Sequence, residues 1–496
     1  MPLLNLSISQ LLWVFVATNL LKKLRPARVF LKWIASRQIE CFRLPSSEQL
    51  KKLAIGKSSK VQSQTKLASS NVRGQNKLQI RAVDLTKLEL ETMRLDSNML
   101  WSAPYGEELE WVVDFALMSL FSYLSTQSIF YLCSTTLNEY NFSLLWVTLV
   151  ILQCYFILAR LTSVYFLNRI SIGERSVCIT SGCIFFTVAM LLLSSGSRHV
   201  ELGLAQSTDI APQSTSSSTT NETLTFDDEV GLEQSSNRSP GDATPTIIPS
   251  LIIRLLISLA CSMLGIIFTF PGLRFGQLHE ILADSNARFG RSVYTFNYLS
   301  PLLVTILWLP TASRVPLKDQ NYIHIDDTRF DLFRLYFAIT VGLVRFLLVP
   351  GYLRTFLASA AGRVERLRFR GGTTTDSEIQ LTISIINQYI NVVAMQYLLP
   401  TLICIFTSIM YLTLSDTNDA VRLANNDAQV SQQTNLRHLF GEQSFVISAE
   451  EMISAIRGVL SSDLPKNVFC FATWWSHFCL FTTMTAGVVY HKYLTH

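Results

Sequence analysis

The stretch Phe330–Pro350, FDLFRLYFAITVGLVRFLLVP, decides how this chain is to be read. At 1.5 Å per residue a helix of that length crosses the roughly 30 Å hydrocarbon core of a bilayer. Yet it carries Asp331, Arg334 and Arg345 inside or at the edge of the apolar run. A charged side chain at the centre of a spanning helix costs about 2.5–3.5 kcal/mol on insertion scales, so these residues need an explanation. Helical spacing puts Arg334 and Arg345 on nearly one face, about three turns or 16 Å apart along the axis. Asp331 precedes Arg334 by three residues, where the two side chains can meet. Two placements accommodate the charges. Either the face is a polar seam turned toward other helices, or the arginines sit near opposite ends of the span and snorkel to the headgroups.

The rest of the chain repeats the pattern of long apolar blocks. Of 496 residues 49% are hydrophobic and only 16% charged, with mean hydropathy +0.31, against about 25% charged in ordinary soluble domains. The reading is all-α: a polytopic helical bundle of about nine transmembrane helices, with bounds of eight and ten. The expected spans are 3–21, 111–133, 144–167, 177–196, 251–270, 293–312, 331–350, 381–413 and 468–490. The 381–413 segment is too long for one straight span; its first turns are polar, Pro400 can kink it, and the span proper begins near Asn391.

Charge sets the orientation. With the N-terminus outside and the C-terminus cytoplasmic, the inside segments hold 28 Lys and Arg and the outside segments 9, in the sense of the positive-inside rule. The expected organisation is then an N-terminal anchor over 1–21 and a basic cytoplasmic segment over 22–110. In the latter, Val29, Phe30, Trp33 and Ile34 form the apolar face of an amphipathic helix on the membrane surface. Helices two to four follow over 111–196, then a Ser/Thr-rich exterior loop over 197–250 whose composition also reads as disorder. Helices five to eight cover 251–413, a second exterior loop 414–467, and the last span with a short tail 468–496. The exterior loops carry N-glycosylation sequons at Asn141, Asn221 and Asn237.

Chemistry is sparse. Nine cysteines fall mostly in apolar spans with no C-x-x-C; only Cys41 lies in a clearly soluble stretch, where an accessible low-pKa thiol would serve a redox role. Neither H-E-x-x-H nor G-x-S-x-G occurs, and GKSS at Gly56–Ser59 lacks the earlier glycine of a phosphate-binding loop. No enzyme activity, metal or cofactor is expected. A potassium-type filter and the repeated arginines of a voltage sensor are also missing. The mid-span polar groups are Gln153, Asn391 and Gln396, either solute ligands or interhelical hydrogen-bonding residues. Ser258, Ser262 and Gly265 line one face of the fifth span and suit close helix packing. The cytoplasmic loop after Pro350 brings Arg354, Arg363, Arg366, Arg368 and Arg370 beside a span, a candidate surface for anionic lipid headgroups or a partner helix.

Several stretches carry a family resemblance. They are Gly173–Cys178 (GERSVC), Phe268–Arg274 (FTFPGLR), Asn297–Pro301, Phe330–Arg334 with Arg345, Gln396-Tyr397 with Pro400, Thr473-Trp474-Trp475 and Tyr490–Leu494. Pro45, Glu48, Leu50 and Gly56-Lys57 add to them near the start. In this order along the chain they resemble the transmembrane protein 161 family; the loops 197–250 and 414–467 depart from it. The resemblance implies a multi-pass, glycosylated membrane protein without enzymatic chemistry. One vertebrate branch of the family is associated with restraining potassium and calcium currents and keeping heart rhythm, the other with protection against oxidative stress. It transfers no catalytic or ligand-binding residues. The expected function is therefore non-enzymatic modulation of ion currents, in the plasma membrane or an endomembrane. The expected partners are membrane lipids and ion channels or other membrane proteins, with no nucleic acid. A transporter or channel in its own right is the alternative, and oxidative protection a further one.

Overall fold

The computed structural model describes residues 12–16, 18–20, 23–37, 39–45, 91–133, 143–167, 172–194, 247–285, 288–309, 327–369, 376–432 and 464–494. In chain order the elements are α1 (Pro26–Ser36), β1 (Glu40–Phe42), β2 (Thr92–Arg94), α2 (Ser97–Ser102) and α3 (Gly106–Cys133). Then come α4 (Ser143–Leu167), α5 (Ile172–Ser194), α6 (Ile247–Ser285), α7 (Arg288–Ile306) and α8 (Asp327–Leu347). The last are α9 (Val349–Phe369), α10 (Asp376–Gln388), α11 (Ile390–Gln432) and α12 (Leu464–Val489), closed by a π-helical turn at Tyr490–Leu494. The architecture is all-α apart from a two-stranded antiparallel ribbon that pairs Cys41 with Met93.

The bundle is organised around α11. Every side chain from Ile390 to Thr413 is buried, because the helix is apolar around its whole circumference and α4, α6, α8, α9 and α12 pack on it. Its aliphatic hydroxyls are satisfied by the helix itself: Thr401, Thr407, Ser408 and Thr413 each donate to the carbonyl four residues back, at 2.8–3.0 Å. An interruption at Tyr389 separates α10 from α11, while the apolar stretch runs across it from Glu378 to Ser415.

Helix α6 packs on α5 and α12 through small residues. Ser262 donates to the Gly182 carbonyl at 2.8 Å, Ser181 and Thr269 share a hydrogen bond of 2.7 Å, and Gly265 lies against the Phe185 ring. On its other side Gly272 and Gly276 meet Thr483 and Gly487 so closely that the two backbones touch.

Among the described residues four helices are long and apolar enough to cross a membrane: Ser143–Leu167, Gly173–Ser194, Arg254–Ala283 and Glu378–Ser415. The pair Arg329–Leu347 and Val349–Glu365, bent by 40°, makes a fifth if taken as one span. That is fewer than the expected nine. Hydroxyls, Gln and His dilute α3 and α12, and Arg288, Arg291 and Asn297 dilute α7, all helices packed within the same bundle, while most of 3–21 lies outside the described residues.

Two further expectations change. The segment after Pro350 is not a loop at its start, since α9 continues helically to Phe369. The amphipathic helix α1 turns part of its apolar face to the protein. Pro26 opens it, the Ala27 amide donates to Asp114 Oδ1 at 2.8 Å, and the Phe30 ring lies tilted against Phe346 with centroids 5.0 Å apart. Ala27, Phe30, Leu31 and Ile34 are buried against the protein, while Val29 stays exposed.

Candidate functional site

Arg334 and Arg345 both point inward, each only 3% exposed, so the snorkelling placement gives way to the seam. The face they form nonetheless looks into the bundle rather than toward a partner protein. Arg334 pairs with Asp331 at 2.9 Å and sits 4.8 Å from the Trp308 ring. The pair is asymmetric, the Arg334 side chain being 4% and the Asp331 side chain 46% exposed. Removing the carboxylate charge leaves a buried guanidinium with Tyr411 but without the Asp331 counter-charge, whereas removing the guanidinium leaves a half-exposed carboxylate in contact with solvent. Asp331→Asn should therefore lower stability by about 2 kcal/mol and Arg334→Met by less, a difference readable as two thermal unfolding midpoints of the purified protein.

Arg345 ends α8 in a different setting. Its Nη1 donates to the Asn297 carbonyl at 2.9 Å, Nη2 lies 3.5 Å from Met484 Sδ, and the guanidinium faces the Phe275 and Tyr397 rings at 5.2 and 5.6 Å. Asn297, on α7, donates from Nδ2 to the Tyr352 and Tyr397 hydroxyls at 2.9 and 3.3 Å. Tyr397 in turn donates to the Arg345 carbonyl at 3.1 Å, an acceptor exposed by the break between α8 and α9. The Tyr352 and Tyr397 rings stack 4.7 Å apart. Four helices thus converge on one polar cluster in an apolar bundle. Not all of it is satisfied: Arg345 Nε, Asn297 Oδ1 and both amide atoms of Gln396 are buried without a hydrogen-bond partner.

Beside this cluster lies a cavity of about 20 Å³, room for about one water-sized particle, with Arg274, Arg345 and Gln396 among its lining. A second cavity of about 350 Å³ shares Arg274 and Val393 with it and extends to Glu174, Arg363 and Tyr389. The stretches FTFPGLR, Asn297–Pro301 and Gln396-Tyr397 with Pro400 all reach this region.

The three mid-span polar residues do not come together. Asn391 closes the end of α2, its amide donating to the carbonyls of Leu100, Ala103 and Pro104 at 2.7, 3.3 and 3.2 Å. Gln396 faces the small cavity, and Gln153 is half-buried on α4. Of the arginine segment, Arg354 is exposed on α9 and Arg363 lines the larger cavity. Arg366 and Arg368 lie on α9 with side chains outside the described set, and Arg370 lies outside the described residues, as do Asn141, Asn221 and Asn237.

Cys41 is not the accessible thiol that a redox role needs. It is 1% exposed in the ribbon, its Sγ is 3.5 Å from the Met93 carbonyl, and burial pushes its pKa up. The pairing of residue 41 with residue 93 carries no short-range sequence signal, which is why its burial was not legible. The exposed cysteine among the described ones is Cys183, on α5. Also among the described residues, no group of three or more His, Cys, Asp and Glu side chains is placed to hold a metal ion.

No solved structure matches the chain. The family model described as "Predicted transmembrane protein 161AB" matches residues 6–495. With the apolar helices and the inward-facing arginines in place, that match over essentially the whole chain means that this integral membrane protein belongs to the transmembrane protein 161AB family.

Proposed function

We propose that the protein has no enzymatic chemistry and regulates ion currents in the plasma membrane, through channels or the membrane around them. The observation that carries this reading is the closed centre of the bundle. The stretch Ile390–Thr413 is encased on all sides, and Gln153, Asn391 and Gln396 occupy three separate surroundings instead of lining one path. A conducting pore needs polar groups along a continuous wet route, and a regulator does not. With the Asp331–Arg334–Arg345 face turned inward, contact with a channel or anionic lipid falls to outward groups such as Arg354. Glycosylation at Asn221, Asn237 and Asn141 belongs to the same reading, with those loops facing outside.

Whole-cell recording tests it. The protein is expressed in one cell background with negligible native potassium and calcium channels and in another with well-characterised ones. A change confined to the second background is expected, weakened in Arg354→Gln at unchanged surface expression. A new current in the silent background would instead make the protein a pore or an electrogenic transporter.

A further inference from the structure

We propose that the cavity bounded by α6, α8, α9, α11 and α12 is a binding site for one small monovalent anion of halide size. Charge is the first argument. Arg274 and Arg345 line the cavity; Arg274 has Glu174 nearby and donates to Gln277 Oε1 at 3.3 Å, but among the described residues no carboxylate pairs with Arg345. A buried guanidinium without a counter-charge is a costly arrangement, relieved by a paired anion. Arg345 keeps its hydrogen bond to the Asn297 carbonyl, but a carbonyl dipole does not neutralise a full charge.

Unused donors are the second. Arg345 Nε and Gln396 Nε2 are free, on residues 97% buried by exposures of 3% each, and both residues line the cavity. One water would satisfy such donors and leave the charge uncompensated, whereas a halide satisfies them and compensates the charge, leaving only the Gln396 Oε1 acceptor without a donor.

The backbone supplies the third argument. Pro271 in α6 and Pro400 in α11 both line the cavity, and each removes a helical hydrogen bond. The break between α8 and α9 puts Arg345 and Val349 on the same wall. Interrupted helices meeting beside a buried charge are how membrane proteins build ion sites. Size then selects the ligand: about 20 Å³ takes one water-sized ion and excludes phosphate or a carboxylate metabolite. The larger cavity, which shares Arg274 and Val393, offers the approach. None of this depends on whether the protein regulates currents.

The test is thermal unfolding of the purified full-length protein in detergent, titrating chloride, and separately bromide, against gluconate at constant ionic strength. A saturable rise of about 2–5 °C is expected for both halides. Gln396→Glu supplies a carboxylate where the anion would sit, so it should unfold in gluconate no lower than the wild type and respond to neither halide. Should that variant fail to accumulate, Gln396→Leu is read instead, with a halide midpoint at least about tenfold weaker. A wild-type midpoint indifferent to halide would overturn the proposal and leave the cavity to water. So would an undiminished response in the Gln396 variants, which would put the anion elsewhere.

Discussion

Gly276→Leu should leave almost no folded protein, seen as loss of the monodisperse peak in size-exclusion chromatography and of surface labelling. A Cβ at Gly276 would collide with the backbone of Gly487 and Val488, and one at Gly487 would collide with the Gly272 carbonyl. Ordinary overpacking costs about 1–3 kcal/mol because side chains rotate away, and backbone has no such freedom. Here α6 and α12 would have to separate along their whole contact. The separation would carry Trp475 off the Cys261 carbonyl, to which its Nε1 donates at 3.2 Å. An expected loss above about 4 kcal/mol exceeds a large part of the stability of a typical domain. Gly362 on α9 is the control. A Cβ there meets nothing within 4 Å, so Gly362→Ala should be neutral or slightly stabilising. If Gly276→Leu accumulated and unfolded like the wild type, the α6–α12 seam would be misplaced.

Asn391→Leu should destabilise by about 3 kcal/mol, while Gln396→Leu in halide-free buffer should shift stability by less than about 1 kcal/mol. Both residues are buried amides five positions apart on one helix, with exposures of 0% and 3%. The Asn391 amide is shared by three carbonyls at and just after the end of α2, and its loss leaves those of Leu100 and Pro104 facing an apolar wall, while Ala103 keeps the Gly106 amide. The Gln396 amide has no partner to lose, and an apolar replacement removes two unsatisfied atoms. Thermal midpoints of the two variants decide the matter: equal losses would mean that Gln396 is bonded after all. Proteolytic nicking near residues 97–104 should rise in Asn391→Leu alone, because that segment loses its anchor on α11.

Much of this protein follows from the chain read in one dimension. Apolar runs too long for soluble helices made the fold class helical and membrane-spanning, since every backbone polar group in lipid must bond within its own helix. The i,i+3 spacing of Asp331 and Arg334 was enough to pair them, and small residues at Ser262 and Gly265 were enough to place a helix against that face. Span number was less legible. The hydroxyls of α3 and α12 lower their apolar character, while in the bundle the hydroxyls of Ser128, Thr473 and Ser476 are absorbed by the preceding helical turn.

Direction and partnership needed the tertiary structure. Hydropathy treats an arginine near a helix end the same whether it faces headgroups or other helices; packing against Trp308, Phe275 and Tyr397 turned Arg334 and Arg345 inward. Likewise Asn391 and Gln396 are alike in sequence, and only the arrival of residues 97–104 beside one of them separates a bonded amide from an orphaned one. Composition and periodicity are properties of single helices and survive without their neighbours. A buried charge, a cavity between Pro271 and Pro400, or a cysteine hidden in a ribbon exists only once distant segments meet, and long-range contact is what a local pattern does not encode.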